Sequence, residues 1–384
     1  MQVPPFSLSQ QINDLGTDLE EAVLQVLRSG QYIGGAQLNA FEDAFATSVG
    51  TSHAVGCNSG TDALILALRA LEIGPGDEVI TCSFSFFATA EAISAVGATP
   101  VFVDVDPATY LIDLDRIEAA ITPATKALMP VHLFGRPVDM TRLMAIAEAH
   151  RLNVVEDCAQ ATGARWNGQP VGSFGDVGCF SFFPTKNLGA AGDGGAATTS
   201  DAGLAQTMRE LAVHGMPKRY LHTALGYNSR LDAIQAAVLN VKLPHLADWV
   251  RRRSAIAARY REQLAGLQGL SLPSDEPGHS WNQFVVRINS DRDAFKQILQ
   301  DSGVSTIIYY PIPIHSQPAY AHLRQQTGPL PITEQLCQQV LSLPIFPELT
   351  DQQQQTVIET LRKLLRAKSP TQLPRGGSQE RMVA

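Results

Sequence analysis

Lys186 is the residue whose type and position most directly suggest chemistry, because it follows the apolar run GCFSFF and precedes the glycine-rich segment NLGAAGDGGA. A lysine amine attacks carbonyl groups only after it loses a proton, and partial desolvation allows that loss near neutral pH. The apolar run predicts a buried strand that would supply the desolvation. An ordinary surface lysine after a strand is the alternative, since most lysines are exposed. The position therefore favours a lysine that forms a Schiff base.

Asp157 is a carboxylate in a related position. The segment LNVVED predicts a short buried strand that ends in Glu156 and Asp157, and binding sites in open α/β sheets lie at the carboxyl ends of the strands. A lysine that forms an imine and a carboxylate that keeps a pyridine nitrogen protonated are the two protein groups that pyridoxal phosphate requires. A carboxylate that merely caps a turn is the alternative. Together with Lys186, Asp157 indicates pyridoxal 5'-phosphate as the cofactor.

A third motif consists of Ser59, Gly60 and Thr61, which precede the amphipathic segment DALILALRAL. That segment predicts a helix, and the first backbone N–H groups of a helix are free to bind a phosphate. A serine before a helix is more commonly an N-cap. The phosphate interpretation therefore gains its weight from the lysine and the carboxylate.

These motifs resemble those of the sugar aminotransferases of the DegT/DnrJ/EryC1/StrS family, which are pyridoxal phosphate enzymes of fold type I. The resemblance extends over nearly the whole chain, up to about Leu365, and it rests on the segments SGQYIGGAQLNAFEDAFA, CNSGTDALILAL, TPVFVDVDP, PVHLFGRPVDM, VVEDCAQATGA, FSFFPTKNLGAAGDGGA, GYNSRLDAIQAAVL, YYPIPIH and SLPIFPEL. It implies an α/β fold, with a mostly parallel seven-stranded sheet flanked by helices in a large domain and a smaller α+β domain at the C-terminal end.

The order of predicted elements agrees with this architecture. The strand-like runs DEVITC, TPVFVDV and KALMPVHLF alternate with the helical patterns TDALILALRAL and MTRLMAIAEAH, which is typical of a parallel sheet flanked by helices. We place a domain boundary near Trp249, so that residues 1–248 form the large domain and residues 249–365 the small one. Residues 366–384 are rich in Pro, Gly, Ser and charge, which predicts a disordered tail.

The resemblance assigns roles around the ring of the cofactor. Lys186 is expected to form the Schiff base and then to carry a proton between substrate and cofactor. Asp157 is expected to pair with the pyridinium nitrogen and Gln160 to bind the phenolic oxygen. Phe86 is expected to stack on the ring, although a phenylalanine in that segment would otherwise be assigned to the core.

The resemblance also implies how the phosphate is bound. Ser181 is a hydroxyl in an apolar strand, so its burial requires a polar partner, and the implied partner is the phosphate, shared with Gly60 and Thr61. Asn228 and Arg230 of GYNSRLD resemble residues that reach across a dimer interface, to the phosphate and to anionic groups of the substrate. The predicted functional unit is therefore a homodimer with shared active sites.

The loop STIIYYPIPIHSQPAY is the segment that bears on the substrate. Members of the family that act at C3 of the sugar carry a similar run, which favours a 3-keto sugar, although Tyr309 stands where a histidine is common. Tyr310 and His315 of this loop are candidate substrate contacts, and a histidine bonded within the loop is the alternative for His315. Tyr32 in SGQYIGG is a further candidate contact or a turn aromatic.

The implied reaction is a ping-pong transamination from an amino acid, L-glutamate, to a keto sugar attached to a nucleotide. A 4-keto sugar and a cyclitol ketone stay open as alternative acceptors. Relatives that dehydrate sugars have a histidine in place of the lysine, which argues against that chemistry here. A non-catalytic regulatory protein with the same fold is the remaining alternative.

Composition and charge exclude other classes of function. The chain has 384 residues, of which 45% are hydrophobic, and a formal net charge of −8. Such a chain fills a sizeable core and offers no overall basic surface, so binding to nucleic acid or anionic membranes is disfavoured. No apolar stretch of about 20 residues and no secretory leader is present, so we expect a cytoplasmic protein. The basic run Arg251, Arg252 and Arg253 predicts a solvated helix face.

The cysteines predict neither a disulfide framework nor a metal site. Their number is odd and none forms a CxxC pair, so reduced core thiols are expected. A zinc site needs cysteines and histidines at ligand spacing, which the sequence lacks. We therefore expect no metal. The five cysteines are Cys57, Cys82, Cys158, Cys179 and Cys337.

Overall fold

The computed structural model describes residues 1–323 and 327–367. Its α-helices are α1 (Ser9–Ser29), α2 (Ala36–Val49), α3 (Gly60–Ala70), α4 (Ala88–Ala95), α5 (Ile117–Ala120), α6 (Met140–His150), α7 (Ala202–Ala212), α8 (Ala233–Lys242), α9 (Leu246–Leu264), α10 (Arg292–Asp301) and two further helices, Pro331–Gln339 and Asp351–Ala367. Its strands are β1 (His53–Cys57), β2 (Glu78–Cys82), β3 (Thr99–Val103), β4 (Thr125–Leu128), β5 (Asn153–Asp157), β6 (Arg165–Trp166), β7 (Gln169–Pro170), β8 (Val177–Ser181), β9 (Gly195–Thr199), β10 (Leu270–Ser271), β11 (Phe284–Ile288) and β12 (Val340–Leu343).

A seven-stranded sheet with the order β1-β9-β8-β5-β4-β2-β3 forms the centre of the large domain. Neighbouring strands from β8 to β3 pair in parallel, whereas β9 runs antiparallel to both β1 and β8. Because β9 is reversed, its first residue, Gly195, pairs with the last residues of its neighbours, Cys57 and Ser181. The prediction of a mostly parallel seven-stranded sheet is confirmed.

Local sequence explains where the helices begin. Ser59, Asp139 and Asp232 are the N-caps of α3, α6 and α8, and each accepts a hydrogen bond from a backbone N–H of the first turn. Such caps satisfy N–H groups that have no partner inside the helix. The helices predicted from TDALILALRAL and MTRLMAIAEAH are present as α3 and α6, because their apolar residues recur on one face and pack against the sheet.

The smaller α+β unit contains the three-stranded antiparallel sheet β10-β11-β12. Its core includes Phe284, Phe295 and Tyr260, together with Val3 from the N-terminal end of the chain. The amide of Val3 donates to the carbonyl of Gly303 over 2.8 Å, so the first residues of the chain pack in this unit. Helix α9 continues without interruption through residue 249, where we predicted the domain boundary, and the division at that residue stays a prediction.

Two details of the sequence analysis need correction. Arg251 and Arg252 are exposed beside Asp248, but Arg253 of the same basic run is only 2% exposed, because it faces the core of the small unit. The last helix continues to Ala367, so residues 366–367 of the predicted tail are helical, and residues 368–384 lie outside the described residues. Within the described ranges, every helix is too short or too polar to cross a membrane.

Candidate active site

A cavity of about 740 Å³ opens where the strand ends of the large sheet meet the loop at residues 307–317. The loops that follow β1, β2, β5 and β8 all reach this edge of the sheet, as the parallel topology requires. The structure thus brings together nine of the residues that the sequence analysis singled out. They are Ser59, Gly60, Thr61, Phe86, Asp157, Gln160, Ser181, Lys186 and Tyr310.

Lys186 lies on a tight turn directly after β8. Its backbone N–H donates to the carbonyl of Phe183, and the amide of Ala190 donates to the carbonyl of Phe182, both over 2.8 Å. Burial of the amine lowers the pKa of Lys186 to about 8, and the charge of Asp157 partly opposes that shift. About a tenth of the amine is therefore unprotonated at pH 7, far more than for an ordinary lysine, and the unprotonated form is the one that a nucleophile requires.

Asp157, the last residue of β5, is buried and bound on both oxygens. Its Oδ1 accepts from the amide of Ala159 over 3.1 Å, and its Oδ2 accepts from the hydroxyl of Thr89 over 2.8 Å. Because that hydroxyl donates to Asp157, the hydroxyl of Ser85 donates to Thr89 in turn, over 2.8 Å. Burial nevertheless raises the pKa of Asp157 above its ordinary value, against these hydrogen bonds and the charge of Lys186. A cationic group bound beside this carboxylate would stabilise its charged form.

The start of α3 forms a cradle of backbone N–H groups. The side chain of Ser59 acts as the helix cap and accepts from the amide of Asp62 over 3.1 Å. The backbone N–H groups of Gly60 and Thr61, the two residues before Asp62, have no partner inside the helix and point out of its N-terminal end. An anion is favoured at that end. A Cβ atom on Gly60 would approach Cβ of Ser181 to 2.8 Å. Glycine at this position therefore allows the helix end to lie directly against the end of β8.

Gln160 and Tyr310 form the opposite wall. Oε1 of Gln160 accepts from the amide of Phe134 over 2.8 Å, and its Nε2 donates to the hydroxyl of Tyr310. The ring of Tyr310 stacks on Phe134 at 6.2 Å, and its backbone has a φ of 58°. Such a conformation is costly for a bulky residue and is typical of functional sites. Burial also raises the pKa of Tyr310, so its hydroxyl stays protonated.

Asn228 and Arg230 lie beside α3 and do not line the cavity of their own chain. The side chain of Asn58 binds both, since its Nδ2 donates to the carbonyl of Asn228 over 2.9 Å and its Oδ1 accepts from the amide of Arg230 over 3.1 Å. The hydroxyl of Ser229 donates to Asp62 in α3. The segment 228–230 is therefore held firmly next to the start of α3, with the side chain of Asn228 exposed.

Tyr32 and His315 also lie outside the cavity lining. The hydroxyl of Tyr32 donates to the carbonyl of Leu27 over 3.1 Å. The hydroxyl of Ser83 accepts from the backbone N–H of His315 and shares a hydrogen bond of 2.7 Å with its Nδ1, while Nε2 lies 3.5 Å from Glu334. Both contacts of the ring reach outside its own loop, to the residue after β2 and to the helix Pro331–Gln339. The suggested substrate contacts of Tyr32 and His315 stay predictions.

One cluster among the described residues has the composition of a metal site. Ligand atoms of His132, Glu156 and Cys158 lie within 4.8 Å of one another. Glu156, however, accepts from the amides of Gly172 and Phe174 and from Nε2 of His132, whose Nδ1 accepts from a backbone amide. These donor and acceptor atoms are already used to fix the end of β5.

Several residues of the site escaped the sequence analysis. Thr89 binds Asp157 although 68 residues separate them, and Asn58 binds Asn228 across an even longer separation of 170 residues. Asp193 and Gln283 line the cavity without belonging to a recognisable pattern. The available signal was a polar residue in an apolar context, such as Thr89 in FFATAEAI, but that signal is common in ordinary helices.

Comparison with known proteins places this geometry in context. The family model described as the DegT/DnrJ/EryC1/StrS aminotransferase family matches residues 13–362. A UDP-N-acetyl-3-dehydro-alpha-D-glucosamine 3-aminotransferase of Acidithiobacillus ferrooxidans is 51% identical over 365 residues, which cover 94% of this chain and 98% of that protein. A protein named pleiotropic regulatory protein from Geobacillus stearothermophilus is 45% identical and covers 95% and 99% of the two chains. The crystal structure of DesV from S. venezuelae, in complex with a ketimine intermediate, superposes with a TM-score of 0.92 at 46% identity over 95% of this chain and 98% of that chain.

Proposed function

The chain belongs to the DegT/DnrJ/EryC1/StrS aminotransferase family, and on that premise we propose that it transfers the amino group of L-glutamate to the C3 keto group of a nucleotide-linked sugar. The observation that carries the proposal is the presence in one cavity of an amine with a lowered pKa, Lys186, and a buried carboxylate, Asp157. These are the two groups that pyridoxal phosphate chemistry requires of a protein. A purely regulatory protein would need neither.

The residues around the cavity fit pyridoxal 5'-phosphate, the cofactor of this family. When bound, the cofactor supplies an aldehyde that binds an amine and a conjugated ring that accepts electrons from the carbon being deprotonated. Asp157 would hold the ring nitrogen protonated, and the positive charge of that nitrogen would offset the cost of burying the negative charge of Asp157. Phe86 is 60% exposed although it is large and apolar, so its ring is free to pack against the ring of the cofactor.

The phosphate would be held at the start of α3. The amides of Gly60 and Thr61 belong to the free first turn of α3, and Ser181, whose Cβ lies directly beside Gly60, lines the same cavity. An anion at a helix N-terminus is favoured by the free N–H groups and by the helix dipole. Gln160 would reach the phenolic oxygen with the N–H of Nε2 that is not directed at Tyr310.

Lys186 would act twice in the reaction. Its neutral amine would hold the aldehyde of the cofactor, and once the amino donor has released it, the amine would take and return the proton at Cα of the amino acid. A base with a pKa near the working pH performs such transfers well. The pKa of about 8 for Lys186 fits that requirement.

The acceptor is proposed from the relatives and the pocket together. The relative from A. ferrooxidans is named for amination at C3 of a UDP-sugar. In this chain the wall opposite the sheet consists of residues 307–312, which are mostly apolar and rigidly held by Tyr310 against Phe134. Such a wall suits the face of a sugar ring. Among the described residues that line the cavity, Lys186 is the single cation, so the lining offers little positive charge for a nucleotide. The anionic nucleotide is therefore expected to contact residues outside this lining.

A second copy of the chain would supply those residues. The loop at residues 216–227 exposes Tyr220, Leu221 and Leu225 by 81%, 53% and 87%, and exposed apolar groups of this size favour an interface. The loop leads directly to the exposed side chain of Asn228 and to Arg230. We therefore propose a homodimer in which Asn228 of the partner subunit completes the phosphate site and Arg230 of the partner subunit binds anionic groups of the substrate.

Visible absorbance spectroscopy tests the chemistry. The cofactor-loaded protein should lose the absorbance of the lysine-bound cofactor when glutamate is added and should regain it with one member of a panel of 3-keto and 4-keto nucleotide sugars. Lys186→Ala should lack both this absorbance and turnover, whereas Lys126→Met, at an exposed lysine of β4, should retain both. Turnover in Lys186→Ala, or recovery only with a 4-keto sugar, would contradict the proposal.

Mixing two inactive variants tests the shared site. Lys186→Ala and Asn228→Ala should each be impaired, but a mixed dimer contains one site with both wild-type residues. After subunit exchange at equal concentrations, about a quarter of the wild-type activity should return, since half of the dimers are mixed and each has one complete site. Absence of any recovery, with exchange verified by mass spectrometry, would rule out a site built from both chains.

A further inference from the structure

We propose that Lys242 and Asn187 are positioning residues that clamp the turn carrying Lys186, and that this clamp keeps the reactive amine in its desolvated position. The inference rests on the proposed use of Lys186 as the residue that binds the cofactor. Neither Lys242 nor Asn187 lines the cavity. The side chain of Lys242 bonds the turn at Gly189, and that of Asn187 bonds the turn to neighbouring segments.

The first half of the clamp is Lys242, the last residue of α8. Its side chain is 3% exposed, and Nζ donates to the carbonyl of Gly189 over 2.8 Å. Burial lowers the pKa of Lys242, and the charge of Glu348 partly opposes that shift. A buried ammonium is costly unless it is hydrogen-bonded, so the contact with Gly189 determines where this side chain lies.

The second half is Asn187, the residue next to Lys186. It is 5% exposed, and its Nδ2 donates to the carbonyl of Ser280 over 2.9 Å and to that of Thr162 over 3.3 Å. Ser280 leads into the segment that ends at Gln283 in the wall of the cavity. Asn187 thereby joins the turn of Lys186 to the small unit.

The turn that carries Lys186 is compact, so its backbone cannot move at one end without moving the rest. A Cβ atom on Gly189 would collide with the carbonyl of Pro184, so the backbone folds back on itself between these residues. The amides of Lys186 and Ala190 close the same turn onto Phe183 and Phe182. Because the turn is closed, a displacement of Gly189 or Asn187 moves Lys186 with it.

Lys242 and Asn187 affect the amine of Lys186 by fixing where the turn lies, and not by the charge of Lys242. The groups that shift the pKa of Lys186 are its own burial and Asp157, and Lys242 is not among them. Loss of either clamp residue is therefore expected to loosen the turn and to expose more of the amine of Lys186, a residue that is only partly buried, to water. Rehydration raises the pKa of a lysine toward its ordinary value of 10.5.

The test measures the rate at which the cofactor-free protein binds pyridoxal 5'-phosphate, as a function of pH. In the wild type the rate should rise with pH through a midpoint near 8, because only the neutral amine reacts. In Lys242→Met the midpoint should move to higher pH. A rise of one pKa unit lowers the rate at pH 8 about fivefold, from the change in the neutral fraction alone. Asn187→Ala should shift the midpoint in the same direction.

Lys126→Met is the matched control, because it removes an exposed lysine far from the turn and should leave the midpoint unchanged. Unchanged midpoints in both clamp variants would overturn the proposal, even if thermal stability fell, since a merely structural contact would not set the pH profile. If Lys242→Met does not fold, Asn187→Ala decides alone. A wild-type protein that never binds the cofactor would instead refute the proposed function.

Discussion

Thr89→Val tests whether the support beneath Asp157 matters for the cofactor. The hydroxyl of Thr89 donates to Oδ2 of Asp157 over 2.8 Å, and both residues are buried. Valine keeps the branch at Cβ, so α4 retains a side chain of the same shape, and the change removes the donor. It also leaves the hydroxyl of Ser85 without its acceptor on Thr89.

The magnitude follows from the charge of the acceptor. A hydrogen bond to a charged group contributes about 1.5–3 kcal/mol, which corresponds to about 10- to 150-fold in a dissociation constant. We expect this whole contribution to be lost from the affinity for the cofactor, because the carboxylate must be charged to pair with a protonated ring nitrogen. The hydrogen bond from Thr89 lowers the pKa of Asp157, so its removal raises that pKa further. Since affinity is lost as pH falls through this pKa, the loss should begin at a higher pH in the variant.

The assay is a titration of the cofactor-free protein with pyridoxal 5'-phosphate between about pH 5 and 9, followed by the absorbance of the lysine-bound form. Thr81→Val is the matched control, because the hydroxyl of Thr81 is equally buried and donates to the carbonyl of Met129 over 2.8 Å, away from the cavity. That control should cost stability but leave cofactor affinity unchanged. A folded Thr89→Val protein with wild-type affinity and an unmoved acid limb would refute the reasoning.

Three further predictions concern other parts of the site and core. Asp157→Asn should lower the pKa of Lys186 below about 8, because Asp157 raises it, and cofactor capture should then reach its midpoint at lower pH. Gly60→Ala should weaken cofactor binding, measured by the same titration, because the new Cβ would lie 2.8 Å from Cβ of Ser181; unchanged affinity would place the phosphate elsewhere. Phe45→Ala removes a fully buried ring and should lower the free energy of unfolding in urea by about 3–5 kcal/mol, while a loss below about 1 kcal/mol would contradict the packing described.

Much of the fold was predictable because it depends on local patterns. The apolar spacing of α3 and α6, together with the serine before α3, placed both helices correctly, since a helix forms from contacts three and four residues apart. The short apolar runs placed β2, β5 and β8, so that Asp157 is the last residue of β5 and Lys186 lies in the turn that follows the end of β8 at Ser181. The chemical character of these two residues therefore follows from the sequence alone.

The tertiary structure decided which distant residues meet, because side-chain contacts across long loops leave no periodic signal. The reversal of β9 brings Gly195 to the edge where β1 and β8 end, and the path of the chain brings Thr89 to Asp157. Burial of Arg253 within a charged run depends on the small unit, where its guanidinium donates to the carbonyls of Trp281 and Ile345. The reactive groups are thus local features of the sequence, whereas the desolvation, hydrogen bonds and clamp that set their pKa values exist only in the folded chain.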